Sequence, residues 1–262
     1  MFPLKDNIPT RRFPVVTVVI IALNVIVYLF VQKKTGIDFS GDSLDPRALT
    51  QYAAIPYEVT NPGKECEFAG QQIICEGQPG VSGSAENTLP TWATIFTSMF
   101  SHAGLLHLGG NMLFLWIFGN NIEDSMGRPR FIVFYLLGGL AALLAQTVID
   151  PNAAVPTIGA SGAVAAVLGG YALLYPRARV VTVIFIIIFF TIVTLPALLV
   201  LGAWFVLQLL NGAGSLAQPV GEGGGVAYFA HIGGFVFGLL MIRLFADRIH
   251  EDYESAHRTP VY

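Results

Sequence analysis

The sequence predicts an all-α polytopic membrane protein with six spanning helices, and three observations predict it. The chain of 262 residues is 54% hydrophobic and only 12% charged, against about 25% charged residues in a soluble domain. Its apolar residues gather into runs at 14–31, 105–119, 131–149, 158–175, 183–210 and 226–246. Roughly 20 apolar residues suffice to cross a bilayer as a helix. Lysine and arginine also fall unevenly between successive connections, as a fixed orientation requires.

Taken in order, residues 1–13 form a short polar leader. The run 14–31 follows "KDNIPTRR" and no small-residue cleavage site comes after it, so it reads as a retained helix and not a removable signal. Residues 33–90 make a long outside loop rich in Pro, Gly and acids, with "DPRALTQYAAI" suited to a short helix. Cys66 and Cys75 lie in this loop, either bridged or as free thiols. "TLPTWATIFTSMF" reads as amphipathic and interfacial, with Trp92 at headgroup level. The remaining spans are joined by short turns such as "GRPR" and "YPRAR". The run 183–210 is too long for one untilted span. The span is placed at 195–211, because Pro196 suits a first helical turn. "VTVIFIIIFF" before it is then an interfacial or re-entrant piece, the alternative being a seventh span. A glycine-rich loop at 212–225 precedes the last span. The membrane domain covers 14–246, and 247–262 form an acidic tail.

With the N-terminus inside, Lys5, Arg11, Arg12, Arg128, Arg130, Arg177, Arg179, Arg243, Arg248 and Arg258 all lie inside. Lys33, Lys34, Arg47 and Lys64 lie outside, in one long loop whose charge counts weakly.

Polar residues inside spans are functional candidates by default, and few exist here. The second span opens with "SHAGLLHLGGNM", the fourth with Ser161 and the sixth with "VAYFAHIGGFVFG". In a six-span chain these three helices run in the same direction. His107, Asn111, Ser161 and His231 therefore lie roughly 5–15 Å below the outer surface, at about 1.5 Å per residue. Scattered structural polarity has no reason to collect at one depth. Gly162, Ala166 and Gly170 on the fourth span, and Ala230, Gly234 and Gly238 on the sixth, recur at every fourth position. Such stripes let membrane helices approach closely, which brings a serine and a histidine within the reach of about 3 Å that a general base needs. His107 and Asn111, four apart, share a helix face. Both can donate hydrogen bonds to a developing oxyanion, as can the unpaired Ser161 N–H of a first helical turn. Taken alone, Ser161 would be a packing residue or N-cap, and His102 a structural histidine. Asn24, Gln146 and Gln208 read as interhelical glue. Glu123 and Asp124 sit at the inner end of the second span, where Asp124 is spaced to pair with Arg128.

"HAGLLHLGGN", "GASG" and "AHIGG", in that order on three spans, resemble the rhomboid family of intramembrane serine proteases over residues 91–245. The resemblance implies a six-helix rhomboid-like bundle, with Ser161 as nucleophile and His231 as base and no third carboxylate. It implies an oxyanion hole from His107, Asn111 and the Ser161 N–H, supported by His102 and by the motif glycines Gly159, Gly162 and Gly234. The loop 33–90 would be the family's membrane-embedded first loop, 212–225 the cap over the site, and the fifth span the side where a substrate helix enters. Family substrates are membrane-anchored proteins cut in or near a transmembrane segment. Two positions depart from the family pattern. Ala165 replaces an aromatic residue that stacks on the histidine, which leaves open what orients His231. Ala93 follows Trp92 where many members have arginine.

Other chemistries fit worse. No H-E-x-x-H motif suggests a metal, no span carries a carboxylate at its middle, and the nucleophile-elbow pattern fails at Ala163. Neither a metal nor an organic cofactor is expected. A net charge of −3 offers no basic face for nucleic acid. A non-catalytic rhomboid-like protein that binds and routes membrane clients is the alternative, but such proteins typically lack the serine or the histidine. A transporter would show inverted repeats or a polar path through both leaflets. The expected partners are transmembrane protein substrates and the bilayer. The expected location is the bacterial inner membrane, with a cytoplasmic N-terminus.

Overall fold

The computed structural model of the chain describes residues 2–32, 46–69, 72–81, 85, 89–186, 189–216 and 226–247. Strand β1 (Phe2–Asp6) precedes α1 (Val15–Val27), which continues as a π turn over Tyr28–Gln32. Next come α2 (Pro46–Tyr52), α3 (Pro56–Thr60) and a hairpin of β2 (Cys66–Ala69) and β3 (Gln72–Cys75). Helix α4 (Thr91–Thr97) ends in a 3-10 turn, Ser98–Phe100. Helix α5 (Leu105–Phe114) passes through a π turn, Leu115–Gly119, into α6 (Asn120–Met126). Then follow α7 (Arg128–Ile149), α8 (Ser161–Leu174), β4 (Arg179–Ile186), β5 (Phe189–Pro196), α9 (Ala197–Ser215) and α10 (Tyr228–Phe245).

Among the described residues, four helical segments are long and apolar enough to cross a membrane: Val15–Gln32, Arg128–Ile149, Ala197–Ser215 and Tyr228–Phe245. Ser161–Leu174 is a shorter apolar helix. The long helices turn side chains such as Leu23, Val148, Leu198 and Leu240 outward, as a lipid-facing surface requires.

Helix α8 lies at the centre, with Gly162 through Ala172 all buried. Small residues allow this. A Cβ added to Gly234 would lie 2.1 Å from the Gly162 carbonyl oxygen, and one on Gly238 2.0 Å from that of Ala166. The backbones of α8 and α10 therefore touch. The stripe expected on α8 divides between two neighbours. A Cβ on Gly162 would meet Ala142 of α7 at 2.5 Å, and Ala166 faces Gly138 of α7, whereas a Cβ on Gly170 would meet Ile242 of α10 at 3.0 Å.

The fold is mostly helical, but two small sheets correct the all-α expectation. β4 and β5 pair antiparallel, and β1 adds to the other side of β4, giving the order β1-β4-β5. The described residues of the segment expected as a re-entrant piece or a seventh span, 181–186 and 189–190, are thus strand. Its residues are almost all β-branched or aromatic, which suits a pleated strand better than a helix. An unbroken apolar run carries no periodicity to separate the two. Residues 2–6, read as part of a leader, complete this sheet. Helix α9 begins directly after Pro196 and runs to Ser215, so residues 212–215 of the expected cap belong to its last turn. Leu216 caps that helix, and residues 217–225 of the cap lie outside the described residues, as do 33–45 and 248–262. Cys66 and Cys75 face each other across the β2–β3 hairpin and are joined by a disulfide.

Carboxylates tie the end of the bundle opposite Ser161. Glu123 accepts hydrogen bonds from Val16 N, Thr17 N and Thr17 Oγ1 at 3.1, 2.8 and 2.8 Å, satisfying the free N–H groups of the first turn of α1. Asp124 accepts the Arg11 N–H at 2.7 Å. Asp6 accepts from Asn121 Nδ2 at 2.6 Å and from the Tyr171 hydroxyl at 2.5 Å. Burial pushes the Asp6 carboxyl up to about 7.

Candidate active site

Ser161 is the first residue of α8, and the turn before it is pinned from several sides. Ala54 and Thr157 form a two-way backbone bridge at 3.1 and 2.8 Å, and Tyr57 N donates to Ala153 O. Gly159 N donates to the Ser98 carbonyl at 2.8 Å. Gly159 holds φ at +119°, a conformation that only glycine adopts without strain. The first backbone bond of the helix runs from Val164 N to Ala160 O. The Ser161 N–H therefore belongs to a first turn without intrahelical acceptors.

His231 enters from α10. Its Nε2 lies 2.8 Å from Ser161 Oγ, the separation a proton transfer needs. Its Nδ1 lies 2.8 Å from Gln208 Oε1. Ala230 N, beside it, donates to Gln146 Oε1 at 3.2 Å, so α7 holds the start of α10. Trp204 of α9 lies against the imidazole, with ring centroids 5.8 Å apart.

Across from this pair, His107 and Asn111 lie on one face of α5. Ala103 N donates to His107 Nδ1 at 3.3 Å. In a neutral imidazole this leaves the proton on Nε2, which can then donate. The missing side chain of Gly159 creates the space in front of that nitrogen. A Cβ there would lie 2.9 Å from His107 Nε2 and 3.5 Å from Ser161 Oγ. Asn111 is buried, and its Nδ2 has no hydrogen-bond partner. His102 is fully buried behind His107, its ring edge-on to it at 5.1 Å. The His102 backbone is clamped by the Gln32 side chain, which accepts from His102 N at 2.8 Å and donates to His102 O at 3.3 Å.

The structure thus brings Ser161, His231, His107 and Gly159 together, with Asn111 one turn along α5 and His102 behind. Gly162 and Gly234 act at a distance, by letting α8 close on its neighbours. Sequence reasoning placed Gln208 among packing residues, yet it reaches the candidate base. Helix α9 runs opposite to α8 and α10, and Gln208 lies about 10 Å from its C-terminal end. Counting depth from that end would have found it.

A family model described as the rhomboid domain matches residues 90–248. Rhomboid protein 1, mitochondrial, of Saccharomyces cerevisiae is 33% identical over 151 residues, covering 56% of this chain and 40% of the yeast protein. Rhomboid protease GluP of Bacillus subtilis is 38% identical over 96 residues, 36% of this chain and 18% of its own. The presenilin-associated rhomboid-like protein, mitochondrial, of Mus musculus is 31% identical over 150 residues, 55% and 36% respectively. The chain spans less than half the length of each of these relatives. Mitochondrial proteins stand among them, so the comparisons lend no support to the bacterial inner membrane as its location. The rhomboid match covers more than half of the sequence and takes in His102, His107, Asn111, Ser161, Gln208 and His231, and the chain belongs to the rhomboid family of integral, multi-pass membrane proteins.

Proposed function

We propose that the chain is an intramembrane serine endopeptidase that cuts membrane-anchored proteins in or near a transmembrane segment. One observation carries this reading: the 2.8 Å contact between Ser161 Oγ and His231 Nε2, beside a space at Gly159 that the His107 ring borders. His231 takes the hydroxyl proton as Ser161 Oγ attacks the scissile carbonyl carbon. The carbonyl oxygen becomes an oxyanion in the space beside Gly159. His107 Nε2–H, Asn111 Nδ2 and the Ser161 N–H donate to it. The tetrahedral intermediate collapses, and the imidazolium returns its proton to the leaving amine. Water, deprotonated by the same imidazole, then attacks the acyl-enzyme and frees Ser161. In this reading, Leu105–Met126 and Ser161–Leu174 join the four longer segments as six spans, the N-terminus is cytoplasmic, and residues 14–246 form the membrane domain.

The test is reaction of the purified protein with a fluorophosphonate probe, read by mass spectrometry. The expected result is an adduct on Ser161 that is lost in Ser161→Ala and in His231→Ala. A folded chain that never reacts, yet binds membrane clients, would instead fit a routing protein.

A further inference from the structure

One contact of His231 lies on the side of the ring away from Ser161. Gln208 is a buried amide in α9, whose neighbouring Leu207, Leu209 and Leu210 are exposed and apolar. Its Oε1 meets His231 Nδ1 at 2.8 Å, while the opposite ring nitrogen meets Ser161. A neutral imidazole carries one proton, so the partner of one nitrogen dictates the state of the other. A carbonyl oxygen only accepts. It therefore keeps the proton on Nδ1 and leaves the Nε2 lone pair pointing at the serine hydroxyl. The other tautomer would set two lone pairs against each other at Gln208 and present an N–H to Ser161, where no proton could be taken up. Position 165, four after the serine, cannot supply an orienting ring. Ala165 is fully buried, and its Cβ lies 3.3 Å from where a side chain on Gly234 would begin. Helix α9 brings both Trp204 and Gln208 to the imidazole instead.

We infer that Gln208 is the positioning residue for His231: its amide oxygen fixes the tautomer and direction of the base, from a helix that carries neither the serine nor the histidine. The inference rests on the protease reading. A carboxylate does this work in three-membered serine protease sites. Here a neutral amide does it.

The experiment uses the full chain in detergent or proteoliposomes, with fluorophosphonate labelling and cleavage of a transmembrane model substrate. Gln208→Leu keeps the approximate size and removes the acceptor. It should lower kcat about 10- to 100-fold through misorientation, with KM little changed. Gln208→Glu keeps an acceptor. It should restore most of the rate and move the acidic limb of the pH profile upward, because a carboxylate stabilises the imidazolium. The titratable group facing His231 across the site, His107, is common to all these variants. A Leu variant with the wild-type kcat, a loss confined to KM, or a Glu variant with neither rescue nor a moved limb would overturn the inference. If the wild-type chain itself fails to label at Ser161, the protease reading falls first. The ¹⁵N shifts of His231 then decide the orientation separately. A ring protonated at Nδ1 that becomes a tautomer mixture in Gln208→Leu supports the inference, and a wild-type ring protonated at Nε2 ends it.

Discussion

Substituting Gly234 by alanine tests whether close helix packing sets the site geometry. The new Cβ would stand 2.1 Å from the Gly162 carbonyl oxygen, whereas ordinary van der Waals contact begins at 3.4 Å. The atom in the way is backbone, so no side chain can swing aside. Helices α8 and α10 must part by about 1.3 Å, the difference between those two distances. Gly234 lies three residues from His231 on the same helix, so the imidazole moves with it. The Nε2 to Oγ separation then grows from 2.8 Å to about 4 Å, beyond hydrogen-bond reach. A displacement near 1 Å costs on the order of 100-fold in rate. The assay is the rate constant for fluorophosphonate labelling of Ser161, with thermal unfolding measured in parallel. Gly202→Ala is the control, since nothing lies within 4 Å of a Cβ there. It should label at the wild-type rate and gain up to about 1 kcal/mol of helix stability. Labelling of Gly234→Ala within a few-fold of wild type would refute the argument that these stripes bring the two groups together.

Asn111→Ala should slow acylation by about 100- to 1000-fold and leave the thermal midpoint unchanged, because Nδ2 gives up no partner in the resting protein. Gly159→Ala should abolish labelling, since its Cβ fills the space in front of His107 Nε2. It should also cost about 1–3 kcal/mol for a strained φ, visible in the same unfolding scans. Asp6 gives a pH dependence of known sign. Its folded value of about 7 is raised from 3.8, so the folded state holds the proton more tightly than the unfolded chain. Stability is full below pH 4 and falls as pH rises toward 7, by up to roughly 4 kcal/mol at about 1.4 kcal/mol per pH unit. Asp6→Asn should flatten that slope in thermal unfolding measured between pH 4.5 and 8.

What could be read from the sequence follows from how sparse polarity is in this chain. Ser161, His231, His107 and Asn111 stand out because nearly everything around them is apolar, and helix direction assigns them a common depth. The glycines at 234 and 238 announce close packing by their spacing alone. Gln208 escaped because its helix runs the other way and its depth has to be counted from the far end. The β4–β5 hairpin escaped because a solid apolar run has neither the period of a helix nor that of a strand. The positive φ of Gly159 could not be read locally either. It depends on the Ser98 carbonyl, which α4 and its 3-10 turn deliver from another part of the chain. The division of the α8 stripe between α7 and α10 is likewise a property of three packed helices together.

Among the described residues, the groups that meet at the site include no carboxylate: a hydroxyl, two imidazoles, two amides and a backbone N–H. In the proposed mechanism, a carboxylate placed where Gln208 stands would better stabilise the imidazolium formed as Ser161 attacks. It would also have to be stripped of water, at several kcal/mol for an ion in a low-dielectric interior. Two of the carboxylates this fold buries, Glu123 and Asp6, are surrounded by two or three donors at the opposite end of the bundle, and a third, Glu58 of α3, accepts from Cys66 N at 2.8 Å. At Gln208 the donor offered is the His231 ring N–H, and its neighbours Leu207 and Leu209 on α9 are apolar. An amide oxygen meets the orienting requirement at far lower desolvation cost, since a neutral polar group loses much less than an ion on burial. The consequence falls on the other half of the reaction. With less electrostatic support for the imidazolium, the proposed mechanism places more of the transition-state stabilisation on the donors assigned to the oxyanion. His107 and Asn111 should therefore be at least as sensitive to substitution as Gln208, an ordering the labelling rates of the three variants will report directly.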